Sequence, residues 1–185
     1  MDFISWLNSY LLKEKISKRY EMSEHGVKIW EKREEMEVSI NGISEPYIIV
    51  CPALTASWEI FDPSNGWGRN CDFLILGISD RRMYALFIEL KPSAPNSNAP
   101  EQLRWTRRVF YYFISMFNLH KSGGLSESDL ITKYFVISEK HYNIFEKRTV
   151  RTDGEIHKKS DPYKDFVINY RVSDIYDLEN MLNAD

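Results

Sequence analysis

Three charged side chains interrupt what is otherwise an apolar pair of segments. Asp72 stands near the start of the run Cys71 to Ile78, while Glu89 and Lys91 stand at the end of the run Met83 to Leu90. Folded as an antiparallel hairpin closed by a two-residue turn at Asp80 and Arg81, these segments put Ser79 opposite Arg82 and Asp72 opposite Glu89. Lys91 lies two residues beyond Glu89 and so shares its face. Directly opposed carboxylates repel each other, and the pairing is best explained if a cation neutralises them. A ligand set made only of oxygens suits Mg²⁺ or Mn²⁺ better than zinc. The turn is the critical step, because Asp80-Arg81 is not a favoured type I′ pair and a slip of one residue would send the two acids to opposite faces. The plainer alternative for the three residues is an ion pair at a strand end.

The elements that must position these residues follow from periodicity. Residues 2–19 carry Phe3, Ile4, Leu7, Tyr10, Leu11 and Ile16 at spacings near three and four, which predicts an amphipathic helix with a basic second half. From Glu21 to Glu37 the pattern is charged and suits a second helix or a helix leading into a strand. Residues 46–51 are apolar and β-branched and predict a buried strand, with another short strand at Trp58 to Phe61. Asp62 to Gly68 is dense in turn formers and predicts a loop. Beyond the hairpin, Pro92 to Pro100 is a polar connector. Gln102 to Phe117 then predicts a helix with a core stripe of Leu103, Thr106, Phe110, Phe113 and Phe117. Strands are expected at 131–137 and 166–172, a charged loop at 139–164, and a closing helix from Asp174, its N-cap, to Leu182. The order of helix, strand, hairpin, helix, strand is an α/β arrangement on one mixed sheet.

Composition narrows the class. A chain of 185 residues that is 43% hydrophobic and 14% aromatic supports one substantial core, read as a single domain over 1–185 with its core at about 46–137 and a terminal strand and helix at 166–183. The balance of 24 basic against 27 acidic side chains, a net charge of −3, excludes a surface coated with phosphate-binding residues; nucleic-acid contact would need a local basic patch. Cys51 and Cys71 sit in or beside apolar runs, and the four histidines show no metal-ligand spacing, which argues against a disulfide and against zinc. Neither a signal-peptide pattern nor an apolar run of roughly 20 residues is seen, so a cytoplasmic protein without membrane contact is expected.

The sequence Asp72 … Glu89-Leu90-Lys91, opened by Gly68-Arg69-Asn70-Cys71 and followed by a helix that begins with Gln102, resembles the PD-(D/E)XK nuclease superfamily over about Pro46 to Ile137. It departs from that family's pattern in having Cys71, not proline, before Asp72. The resemblance implies a restriction-endonuclease-like αβββαβ core with a mixed sheet flanked by helices, and a metal-dependent endonuclease acting on phosphodiester bonds in DNA. It implies that Asp72, Glu89 and the Leu90 backbone carbonyl bind Mg²⁺ or Mn²⁺, that Lys91 assists the attacking water, and that Gln102 positions a base, phosphate or water. A first-helix glutamate is also implied, with Glu14 the natural choice and Glu21 and Glu59 as competitors. Arg104, Arg107 and Arg108, within about a turn of Gln102, are candidate phosphate contacts, with a solvated helix face as the alternative. A homodimer or a partner protein fits such an enzyme, and a catalytically inactive nuclease-fold subunit is the alternative function.

Overall fold

The computed structural model describes residues 2–10, 20–31, 36–50, 70–91, 99–120, 124–138, 149–152, 155–158, 167–171 and 175–184. Helix α1 (Phe3–Tyr10) is followed by strands β1 (Tyr20–Ser23), β2 (Gly26–Glu31), β3 (Met36–Asn41), β4 (Tyr47–Val50), β5 (Phe73–Ser79) and β6 (Arg82–Lys91). Helix α2 (Ala99–His120) leads through a 3₁₀ turn (Glu127–Asp129) to β7 (Leu130–Ser138). Strands β8 (Thr149–Thr152), β9 (Glu155–Lys158), β10 (Val167–Arg171) and β11 (Ile175–Asp177) precede helix α3 (Leu178–Asn183).

The hairpin forms as its sequence predicts. β5 and β6 are antiparallel, with Ser79 paired to Arg82 and Phe73 to Ile88. The turn residues Asp80 and Arg81 both take positive φ, 50° and 64°, the two left-handed positions a type I′ turn requires. Neither is glycine, and an L side chain in that region costs roughly 1 kcal/mol or more. Arg81→Gly is therefore expected to stabilise the protein by about 1 kcal/mol, seen as a higher urea midpoint at unchanged slope; an unchanged midpoint would show that the turn stores no strain.

This hairpin is the centre of a five-stranded sheet in the order β10-β7-β6-β5-β4. β4 and β5 are antiparallel, whereas β6 and β7, and β7 and β10, are parallel. A parallel neighbour needs a long crossover, and α2 supplies it between β6 and β7. The strand β6 is buried along Met83 to Leu90, the near-continuous apolar run expected of a strand covered on both faces.

One face is covered by helices. Leu74, Leu76, Ala85, Phe87, Tyr134 and Val136 pack under α1 and α2, where Phe3 meets Phe110 and Phe117 edge-on at 6.0 and 5.3 Å. Asp2 starts α1 by accepting the Ser5 amide at 2.8 Å; the helix continues to Tyr10, and positions 11–19 lie outside the described residues. The stripe of α2 is Leu103, Thr106, Phe110, Ile114 and Phe117. Phe113, expected in it, is only half-buried, because the helical repeat of 3.6 turns Ile114 inward instead.

The opposite face corrects two expectations. A second mixed sheet, β1-β2-β3-β11, covers it together with α3, so the described residues form two large mixed sheets and not one. The described residues of the stretch 21–37 are strand and not helix: Val27 and Ile29 on β2 and Met36, Val38 and Ile40 on β3 are buried at every second position, and a period of two is strand periodicity. The charged stretch after Glu139 also contains an antiparallel pair, β8 with β9, where a loop was expected. At the C-terminal end of the chain the helix cap is Asp177, whose side chain accepts the Asn180 amide at 3.2 Å, and the segment before it pairs with β3 as β11. Asp174 and the strand expected at Trp58 to Phe61 lie outside the described residues.

Between the sheets, Tyr84 lies across from Gly77, which it pairs with on β5. A Cβ at Gly77 would stand 2.2 Å from the Tyr84 hydroxyl oxygen, and Tyr84 is 1% exposed with nowhere to retreat. Gly77→Ala is expected to cost about 2–3 kcal/mol by overpacking. Chemical denaturation would measure it, and a loss below about 0.5 kcal/mol would mean that the ring has room to move.

Candidate metal centre

Asp72 immediately precedes β5, and the register of the hairpin carries it opposite Glu89 on β6. The two residues are tied by reciprocal bonds. The Asp72 amide donates to Glu89 Oε2 at 3.1 Å, and the Leu90 amide donates to Asp72 Oδ2 at 2.8 Å. Lys91 Nζ forms an ion pair with Glu89 Oε1. The trio thus meets at one end of the central sheet, on the helix-covered face shared with Leu74 and Phe87.

Glu89 is the unusual member. Its side chain is fully buried, whereas Lys91 retains 15% exposure. Among the described residues, the partner of Oε1 is the Lys91 ammonium. Burial, and then the charge of Asp72, push the Glu89 carboxyl up to about 8, and Lys91 offsets only part of this. A carboxyl in this state is protonated near neutrality unless a further cation stabilises its charge. All the side-chain donors that Asp72 and Glu89 offer are carboxylate oxygens, the set preferred by Mg²⁺ and Mn²⁺.

The other expected participants fall unevenly. The Leu90 side chain is in the core between the sheets, and its amide is the group that bonds Asp72. Gln102 does reach the site's edge, but its Nε2 donates to the Asn70 carbonyl at 3.1 Å, acting on the protein's own backbone. Glu14 and Glu59 lie outside the described residues. Glu21 is exposed on β1 in the second sheet, and among the described residues no third Asp, Glu, His or Cys joins Asp72 and Glu89.

The three arginines do not present one common face. Arg104 and Arg108 are exposed, and Arg108 lies over the Trp105 ring at 5.4 Å. Arg107 instead turns toward the sheet, 5.3 Å from the Tyr111 ring centre and 5.9 Å from that of Tyr134. Burial disfavours its charge, but Tyr134, Tyr111 and Glu127 outweigh burial and its pKa is raised. His120 ends α2, about 27 Å along the helix from Gln102, and takes no part in the site.

Thr106 is the residue that sequence reasoning assigned only to packing. It is 3% exposed, and its hydroxyl oxygen accepts the Cys71 amide at 2.9 Å while donating to the Gln102 carbonyl at 3.0 Å. A threonine in an otherwise apolar helical stripe was the signal. Cys71 itself is buried and free, its thiol pKa pushed well up by burial; Cys51 lies outside the described residues.

Compared with known proteins, the chain matches no family model, no curated protein and no solved structure. Functional interpretation therefore rests on the residues and their geometry. No helix among the described residues is long and apolar enough to cross a membrane.

Proposed function

We propose that this protein is a divalent-metal-dependent nuclease of the PD-(D/E)XK kind, hydrolysing phosphodiester bonds in DNA. The observation that carries the reading is the fully buried Glu89 carboxyl set against Asp72, with Lys91 as a cationic partner that offsets only part of the cost. Such a pair is costly to bury unless a cation joins it. Further support comes from α1, β4, β5, β6, α2 and β7, which follow one another once β1–β3 are set aside, with β4 to β6 antiparallel and β7 parallel to β6, an order compatible with an αβββαβ core.

In this reading Asp72, Glu89 and the Leu90 carbonyl hold Mg²⁺ or Mn²⁺, which when bound acts as a Lewis acid on the phosphate and on water. The bond from the Leu90 amide fixes one Asp72 oxygen and so orients the carboxylate. Lys91, partly exposed at the strand end, places positive charge where the pentavalent phosphate gathers negative charge. Arg104 and Arg108, exposed on the first turns of α2, provide phosphate contacts that set position and not sequence.

An inactive nuclease-fold subunit is the second reading, favoured by the direct Lys91–Glu89 ion pair, which offers Glu89 a cationic partner without a metal. Incubation with linear, circular and single-stranded DNA in Mg²⁺, Mn²⁺ or EDTA separates the two. Cleavage that needs the metal and is lost in Asp72→Ala supports the enzyme, whereas cleavage retained in that variant removes the site assignment. Intact DNA in every condition favours the subunit.

A further inference from the structure

Asp72 stands one residue outside the β5 ladder, so the sheet alone does not hold its backbone. What precedes it is tied to α2. The Asn70 carbonyl accepts Gln102 Nε2, and the Cys71 amide donates to Thr106 Oγ1. Thr106 in turn donates its proton to the Gln102 carbonyl, a bond back along the helix that leaves an oxygen lone pair directed at Cys71.

We propose that Thr106 is a positioning residue that sets Asp72 against Glu89, an inference that rests on reading those two acids as the metal ligands. A buried hydroxyl in the stripe formed with Leu103 and Phe110 is unfavourable unless its hydrogen bonds are made. Both of its bonds are made, and one ends on the residue adjacent to Asp72. Through it, the first turns of α2 and the approach to β5 move as one piece. Loss of the hydroxyl releases the Cys71 backbone and loosens the two amide bonds that join Asp72 to Glu89 and Leu90.

The test compares Thr106→Val, which keeps shape and loses the hydroxyl, with Thr106→Ser, which keeps the hydroxyl. Amide hydrogen exchange at Asp72 and Leu90 is read against Leu86 in the middle of β6, which reports general stability. In Thr106→Val the Asp72 and Leu90 amides are expected to exchange about five- to tenfold faster relative to Leu86, and in Thr106→Ser at the native ratio. Titration with Mn²⁺ is expected to give about tenfold weaker binding for Thr106→Val and recovery for Thr106→Ser. Unchanged exchange ratios in Thr106→Val overturn the proposal, whatever the metal does. If the native protein takes up no Mn²⁺, the metal-site reading fails, and the exchange ratios still decide whether Thr106 positions Asp72. Gln102→Leu, at a half-buried position, reads the same clasp should Thr106→Val fail to fold.

Discussion

Asp72→Ala and Lys91→Ala are each expected to lower metal-dependent DNA cleavage by at least about a hundredfold, the scale on which a single charge-stabilising group acts in a reaction centre. The two variants should fail differently. Asp72→Ala removes a proposed ligand and the acceptor of the Leu90 amide, so its Mn²⁺ binding should fall along with its activity. It also removes a like charge beside Glu89, which lowers the strain of the metal-free state. Its thermal stability in EDTA should therefore be little reduced.

Lys91→Ala keeps both carboxylates. Its loss should appear mainly in the rate at saturating metal, because the ammonium acts on charge that develops during reaction. Without that ammonium, Glu89 keeps the Asp72 amide but loses the larger influence that draws its pKa down, so the variant should need higher pH to load metal. Cleavage rates at several Mn²⁺ concentrations, with melting curves as a control for folding, distinguish the two patterns. Equal loss of metal affinity in both variants would place Lys91 in a purely structural role.

The second large effect is on stability as a function of pH. Glu89 is raised from 4.5 to about 8 in the folded protein, chiefly by burial. With a raised folded-state pKa, the folded form binds the proton more tightly than the unfolded form. The resulting stabilisation is fully present below about pH 4.5, declines as pH rises through the interval, and is gone above about pH 8. In EDTA the protein should thus lose a few kcal/mol from this group across that window. Glu89→Gln, neutral and of similar shape, should flatten the decline.

Saturating metal should cancel this decline. Binding requires the Glu89 proton to leave, so apparent Mn²⁺ affinity should climb about tenfold per pH unit below about 8 and level off above it. Urea unfolding from pH 5 to 9 in EDTA and in Mn²⁺, for native protein and Glu89→Gln, measures both. Parallel curves for the two proteins in EDTA would show that Glu89 ionises normally and that its burial is relieved by other means.

The hairpin was legible because its information is local. Two apolar runs separated by four residues allow few registers, and a two-residue turn selects the one that opposes Asp72 to Glu89 and puts Lys91 beside it. The helix after Gln102 and the strand before it were legible for the same reason, since a period of 3.6 and an unbroken apolar run are both written in neighbouring side chains. Identifying Asp72, Glu89 and Lys91 as one cluster needed no more than that.

What the sequence by itself determined is therefore the pairing of the acids and the elements that carry them. Tertiary structure decided how they are held and how charged they are. Most of the second sheet hid in residues 20–31 and 36–41, where Val27, Ile29, Val38 and Ile40 alternate with exposed or half-exposed residues in a charged pattern that suits a helix or a helix leading into a strand; packing against Phe73, Ile75 and Leu86 selects the strand. Thr106 and Cys71 are 35 residues apart, and nothing local states that a hydroxyl on one serves the amide of the other. The high proton affinity of Glu89 arises because the packed layers, α2 on β6 among them, exclude water from its carboxyl, and desolvation belongs to the assembled layers and not to any single segment.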